Sequence, residues 1–559
     1  MKTIYKISFL VVFSLLSLAI FAQNNEVKKD STKTSLNESV IIVTQFEPTI
    51  NEAYKIAESP SIFDTTFPVP SLNYEVINKV FPTKLNVEPI NPAKVKGEPI
   101  AMLYNGNLKV GLGTYLTPYL DFNYSEKRNR TLLYSTQIRN YSSFWSIKDS
   151  PTSHFSNTDI NLYGKKIWDK FYVDAKLYYN NALNYYYGFN NDSLKLDSKD
   201  YRMIWNNVGF RTNYASLYRN DDALHHNIGF LVENLSARYG LNELNVGIYA
   251  DANKKFKLFG QDKQTIGLKF NYKQTFDKFE QAGFDTYNTG IVSIKPYFDF
   301  KVKKFELHTA LDFSPEFGKE SKFHLIPTAV VDFPIIPSQL NFKGGIIGGV
   351  ERISLNSLRI ENPYIAPYLD LKTTSNINLF AALKSNFVDN LDINLELGMQ
   401  YLKNQQFYSF DTVASYKNMF SITYDNASRL YIKANMGYSI DKTFKVIADL
   451  EYQTYNVESL DFAYYKPSFI ASMSLQYIAA DKLTLYFTPT FKSKTRAMYF
   501  NEEVSLKPII DLNLSAEYEY SDQTRFFVRL NNLAFQSYES YYNYPSQRFM
   551  GMIGVSISF

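Results

Sequence analysis

The 559-residue chain contains no cysteine. That excludes disulfide staples and a lipid-anchored cysteine behind a leader. Histidine is scarce, with five in all: His154, His225, His226, His308 and His324. His225 and His226 are adjacent, so in a strand they face opposite sides and cannot share a metal. No Glu or Cys stands at ligand spacing from them. There is no phosphate-cradling glycine loop, no Cys/His cluster and no heptad run. No nucleophile–base pair is visible either. Hence no catalytic residue, cofactor site or metal site is expected, and the chain is not expected to be an enzyme.

Excess charge is also missing. Setting aside Lys2 and Lys6 of the first 22 residues leaves 57 basic against 55 acidic residues. So balanced a chain does not point to nucleic acid or a polyanion as partner. Beyond the first 22 residues, nothing supports helical membrane insertion. Those residues combine Lys2 and Lys6, an apolar run from Ile7 to Ile20, and Ala22 before Gln23. They read as a secretory signal peptide and are set aside from the fold.

What is abundant is aromatic side chain: 45 Tyr and 44 Phe, within a 16% aromatic share. Mean hydropathy is nonetheless slightly negative. Aromatics without long apolar runs fit a barrel with aromatic girdles and a polar lumen. Residues 23–105 stand apart. Asn24 to Asn37 is polar, and prolines follow at 48, 60, 68, 70, 82, 89, 92 and 99. Such a density precludes a regular helix or central strand, so an extended periplasmic leader is expected. Within it, Val40, Ile41, Ile42 and Val43 form the one β-prone run.

From Asn107 the chain alternates. Phe171, Val173, Ala175 and Leu177 interleave with Tyr172, Asp174, Lys176 and Tyr178. Leu391, Ile393, Leu395 and Leu397 interleave with Asp392, Asn394, Glu396 and Gly398. Leu512, Leu514, Ala516 and Tyr518 interleave with Asp511, Asn513, Ser515 and Glu517. Rows holding Asp, Asn and Glu cannot form a dry core, because unpaired buried charge costs too much. They can line a water-filled lumen, and we expect Asp174, Lys176, Asp392, Glu396, Asp511, Asn513 and Glu517 to do so. Strands of about 10–13 residues suit an outer-membrane wall. The final run alternates Ile553, Val555, Ile557 and Phe559 with Gly554, Ser556 and Ser558, so Phe559 is expected to close the barrel.

Short turns are read at 168–170, 303–304, 389–390, 441–442, 480–481 and 521–523. Longer segments fall at 182–200, 352–373, 403–427, 456–466, 493–507 and 536–547. Short turns on one side and long loops on the outer side are the outer-membrane arrangement. The expected fold is all-β: a transmembrane antiparallel β-barrel of about 22 strands, within roughly 18 to 24, if 417–424 is a loop hairpin. Residues 1–22 are the signal peptide, 23–105 the leader with its N-terminal extended periplasmic segment, and 106–559 the barrel.

The tail Phe526-Phe527-Val528-Arg529-Leu530-Asn531-Asn532-Leu533, then Tyr538, Tyr544-Pro545, Arg548 and the closing strand, resembles the C-terminal end of TonB-dependent receptors. That resemblance implies a barrel of 22 strands in the outer membrane of a gram-negative bacterium. Val40 to Val43 then looks like a TonB box, or like a strand that adds to a partner's sheet. The family carries a folded plug between box and barrel. Here the stretch from Thr44 to Asn107 is short, proline-rich and without a glycine-rich pattern. With Phe46-Glu47-Pro48-Thr49-Ile50, Pro89-Ile90-Asn91-Pro92-Ala93 and Gly111-Leu112-Gly113-Thr114-Tyr115, the chain looks like a plugless group of such proteins. The resemblance implies passage or gating of a small solute. The alternative is a structural or accessory subunit of a larger outer-membrane complex for assembly, secretion or nutrient uptake. Partners would be outer-membrane lipid and a periplasmic or outer-membrane protein, with TonB the less favoured. So wide a pore needs a filler: the leader, folded-in loops or a partner.

Overall fold

Alternating side chains make each strand two-faced, and the two faces need different solvents. In the computed structural model this is resolved by closure. The structure describes residues 103–559, apart from 128, 190–195, 221, 239, 259–262, 280–286, 319–320, 412–417 and 501. Twenty-two strands form one antiparallel sheet in chain order, from Gly106–Gly113 to Met550–Ser558. The first strand pairs with the last, Asn107 opposite Ser558 and Gly113 opposite Met552, so no edge is left open. Phe559 carries the seam one residue further. Its carbonyl accepts from Gly106 N–H at 2.8 Å and its N–H donates to Gly106 O at 3.0 Å. Its ring stacks near Phe122 with centroids 6.4 Å apart.

The outer face is apolar. Ile553 is 66% exposed, Leu397 51% and Leu395 47%, and all belong to the apolar rows. Residues between them, such as Glu396 and Ser556, turn inward onto neighbours of like polarity. A continuous apolar exterior around a polar interior is what lipid outside and water inside require.

The turns at the end where Phe559 lies are short. Those at 303–304 and 389–390 leave two residues between strands. Asn390 and Asp441 sit at positive φ, 63° and 49°, a region short polar side chains tolerate. The longest connections, 186–201, 353–372, 493–508 and 532–549, all leave from the other end, called here the loop end.

Two expectations need correction. The stretch 403–427 is largely strand, not loop. Leu391–Phe410 and Phe420–Ile440 run as 20- and 21-residue partners up to the Phe410–Phe420 pair. The extra loop hairpin is instead Thr495–Tyr499 with Glu502–Leu506, outside the barrel sheet. Strands are also less uniform than about 10–13 residues, because these two continue beyond the length a bilayer needs. Residues 1–102, including the signal peptide, most of the leader and Val40 to Val43, lie outside the described residues.

Candidate functional site

The inner wall is a hydrogen-bonded mosaic. Glu396 accepts from the Tyr431 hydroxyl at 2.7 Å, and Tyr431 in turn accepts from Asn378 at 2.9 Å. Asp174 accepts from Asn213 at 3.3 Å, and Lys176 lies 5.6 Å from the Tyr178 ring centroid. Glu517 pairs with Lys109 at 3.2 Å. Asn513 donates to Asp511 at 3.1 Å and accepts the Asn532 N–H at 3.0 Å. Asp392 shares the face of Asn394 and Glu396 and stands opposite Gly437. These residues fall on three separate patches of wall rather than in one site. Tyrosines lie flat across neighbouring glycines. A Cβ at Gly398 would meet the Tyr431 ring at 2.4 Å, and one at Gly209 the Tyr178 ring at 2.0 Å. Glycine there lets the ring lie along the wall with its hydroxyl on a carboxylate, Glu396 or Glu233.

One patch deepens into a recess of about 630 Å³, lined by His308, Asp332, Lys343, Lys384, Asn394 and Glu396 among others. Asp332 is held by Asn341 at 2.7 Å. His308 meets Asp299 through Nδ1, and elsewhere on the wall His324 lies 3.2 Å from Glu316. These cross-strand pairs follow only from register, so sequence spacing did not reveal them. Among the described residues no group of three His, Asp or Glu side chains could hold a metal ion.

The loop end carries the most organised feature. After Arg352 the chain turns inward rather than outward. Ser354 caps a short helix, Leu355–Glu361, its side chain accepting from Ser357 N–H at 3.2 Å. Leu355 and Leu358, three apart, share one face and are wholly buried. Asn362-Pro363 ends the helix, because proline disfavours helical geometry in the residue before it. The helix start is fastened to the inner wall: Leu355 N–H donates to Glu243 at 3.0 Å and Asn356 to Glu233 at 2.9 Å. Arg352 forms an ion pair with Asp277; their side chains are 3% and 1% exposed.

The segment then meets other loops in an aromatic core. Tyr186 donates to Ile365 O at 2.7 Å, and Tyr541 to Glu361 O at 2.9 Å. The Tyr364 and Tyr544 rings stack with centroids 3.6 Å apart, and the Tyr544 hydroxyl donates to Asn418 O. Trp205, Tyr408 and Phe420 complete the buried cluster. The contacting loops at 186–201 and 532–549 stand eight strands away from 353–372 around the wall, in either direction. A segment touching both therefore crosses the mouth. Burial pushes the hydroxyls of Tyr187 and Tyr544 well above the usual phenol range, so this core stays uncharged. The sequence carried one signal for it: Ser354 followed by Leu355 and Leu358, in a loop rich in Ile, Leu and Tyr up to Leu371.

With the wall and the mouth in view, the chain can be compared with known proteins. The ferripyoverdine receptor of the Pseudomonas aeruginosa outer membrane matches it with TM-score 0.62 at 11% identity, over 83% of this chain and 72% of that one. This chain is an outer-membrane β-barrel with the fold of such receptors. The siderophore receptor PirA from Acinetobacter baumannii gives TM-score 0.64 at 11% identity, over 83% of this chain and 81% of that one. The ferric-catecholate import receptor Fiu from E. coli K12 gives 0.63 at 9% identity, over 82% of each. No family model and no curated protein matches the sequence. Likeness at such identity concerns the fold. It agrees with the resemblance of the tail to TonB-dependent receptors and carries that likeness over the whole barrel.

Proposed function

We propose that this barrel gates passage of a small solute across the outer membrane, and that its own loops, with 353–372 at their centre, are the filler of the lumen mouth. The observation that carries this reading is the inward course of 353–372, bonded to loops eight strands away on both sides. In this reading the loop end faces outside the cell. The polar wall rows that include Asp174, Lys176, Asp392, Glu396, Asp511, Asn513 and Glu517 line the water path, and no step is enzymatic. The solved structures that share the fold are described as receptors and importers, which supports a transport role. The test is to replace residues 354–371 by a Gly/Ser linker and measure single-channel conductance in planar bilayers. The closed parent should pass little current and the excised form a large, stable one. Equal conductance in both would overturn the reading and favour a structural subunit of a larger complex.

The division into a signal peptide (1–22), a leader (23–105) and a barrel (106–559) belongs to the same proposal, with the leader on the periplasmic side. Val40 to Val43 is then a strand offered to a periplasmic partner, with main-chain hydrogen bonds supplying the affinity. Ile42→Pro removes one donor and should release that partner while leaving the barrel assembled. A crosslink from position 42 to TonB in cells would make TonB that partner, against our preference.

A further inference from the structure

The folded-in loops do not seal against the wall everywhere. Between them and the first strands after the seam lies a crevice of about 310 Å³. Its floor is a row of directly paired wall residues, Ser143, Phe155 and Asn184. Its roof is the loop core, with Tyr187 and Tyr364, and Gln547 joins from the last long loop. The size lies at the lower end of the about 300–1,000 Å³ typical of small-molecule sites.

The chemistry of the lining is selective. It contains no Asp, Glu, Lys or Arg. His154, the one ionisable imidazole, is held toward its neutral form by burial. Four hydrogen-bonding groups of the lining are unspent within the protein. Among the described residues, the side-chain amides of Asn184 and Gln547, the His154 imidazole and the Tyr185 hydroxyl have no hydrogen-bond partner. Each amide can donate and accept at once. Beside them stand the rings of Tyr185, Tyr187 and Phe155, which offer apolar and π contact.

We infer that this crevice binds a neutral, hydroxyl-rich ring: one or two sugar units at the solute's entry to the barrel. Hydroxyls that donate and accept match paired amides, and the apolar face of a sugar ring matches an aromatic flank. A charged guest would meet no counter-charge and would lose hydration without return. The inference rests on the reading of the loops as the closure of the mouth, since they form the roof.

The test is an array of neutral and acidic glycans probed with the full-length barrel in labelled detergent micelles. Neutral glycans should be retained, and Asn184→Leu with Gln547→Leu should weaken retention by roughly tenfold or more. Gln547→Leu alone, in a loop remote from the wall pairing, should weaken it by a smaller factor. Heat-modifiable migration on gels verifies that each variant is folded. Retention of no neutral glycan, equal retention of acidic ones, or full retention by both folded variants overturns the site. If retention fails while excision of 354–371 still opens the channel, the sugar site falls and the gate stands.

Discussion

The wall of the barrel and the loop core at its mouth are built from the same residue types with opposite logic. In the wall, apolar side chains point outward to lipid, and tyrosines such as Tyr431 lie against polar partners inside. In the loop core, Trp205, Tyr408, Phe420 and Leu355 are buried against one another, and polar groups are spent on backbone carbonyls. The wall obeys a two-residue period, broken only at a few register shifts such as that between Leu402 and Gln405. The core obeys none, because its members come from loops and strand ends far apart in the chain. The wall's stability is thus local and repetitive, and the mouth's is concentrated in a few long-range contacts.

The sharpest way to break that contrast is at Arg352, where wall and loop join. Arg352→Met leaves Asp277 buried without its partner, with Glu243 close by. Removal of one partner from a buried pair costs about 3–5 kcal/mol. The loss should fall on the mouth alone. Protease cleavage within 353–371 and channel conductance should both rise, while heat-modifiable migration of the barrel stays as before. Loss of the folded barrel band would show that wall and mouth are one cooperative unit.

A smaller effect is expected from adjacent wall residues of opposite face. Leu395→Lys places a charge against lipid and should cost about 2–4 kcal/mol toward the bilayer centre, less near the edge. Glu396→Gln, one residue on, keeps an acceptor for Tyr431 and should stay within about 0.5 kcal/mol. Folding titrations into lipid vesicles measure both; equal losses would contradict the two-faced wall.

The seam should be milder than the lipid face. Phe559→Asp removes the ring near Phe122, worth about 0.5–1.5 kcal/mol, and leaves the backbone pairing with Gly106 in place. The assembled barrel in outer-membrane fractions should fall modestly. An unchanged level would deny Phe559 any part in closure.

Much of the wall was legible. The alternation at 391–401 and the two-residue turns at 303–304 and 389–390 follow from local pattern. The stretch 403–427 was not. Its strands outrun the membrane because Phe407, Phe410 and Phe420 find cover in other loops, a gain invisible to periodicity. The candidate site was less legible still. Of the lumen residues picked from sequence, only Glu396 lines the large recess. None lines the crevice beneath the loops, whose polar members come from separate strands and loops.

The sequence by itself determined a closed two-faced wall, since alternation, turn chemistry and the demand that every strand edge be paired are properties of neighbouring residues. What fills the mouth was decided only by the tertiary structure. Arg352 and Asp277 are 75 residues apart, and Tyr544 and Asn418 are 126 apart. Contacts of that span exist only after the barrel has closed and its register has carried the loops to a common axis.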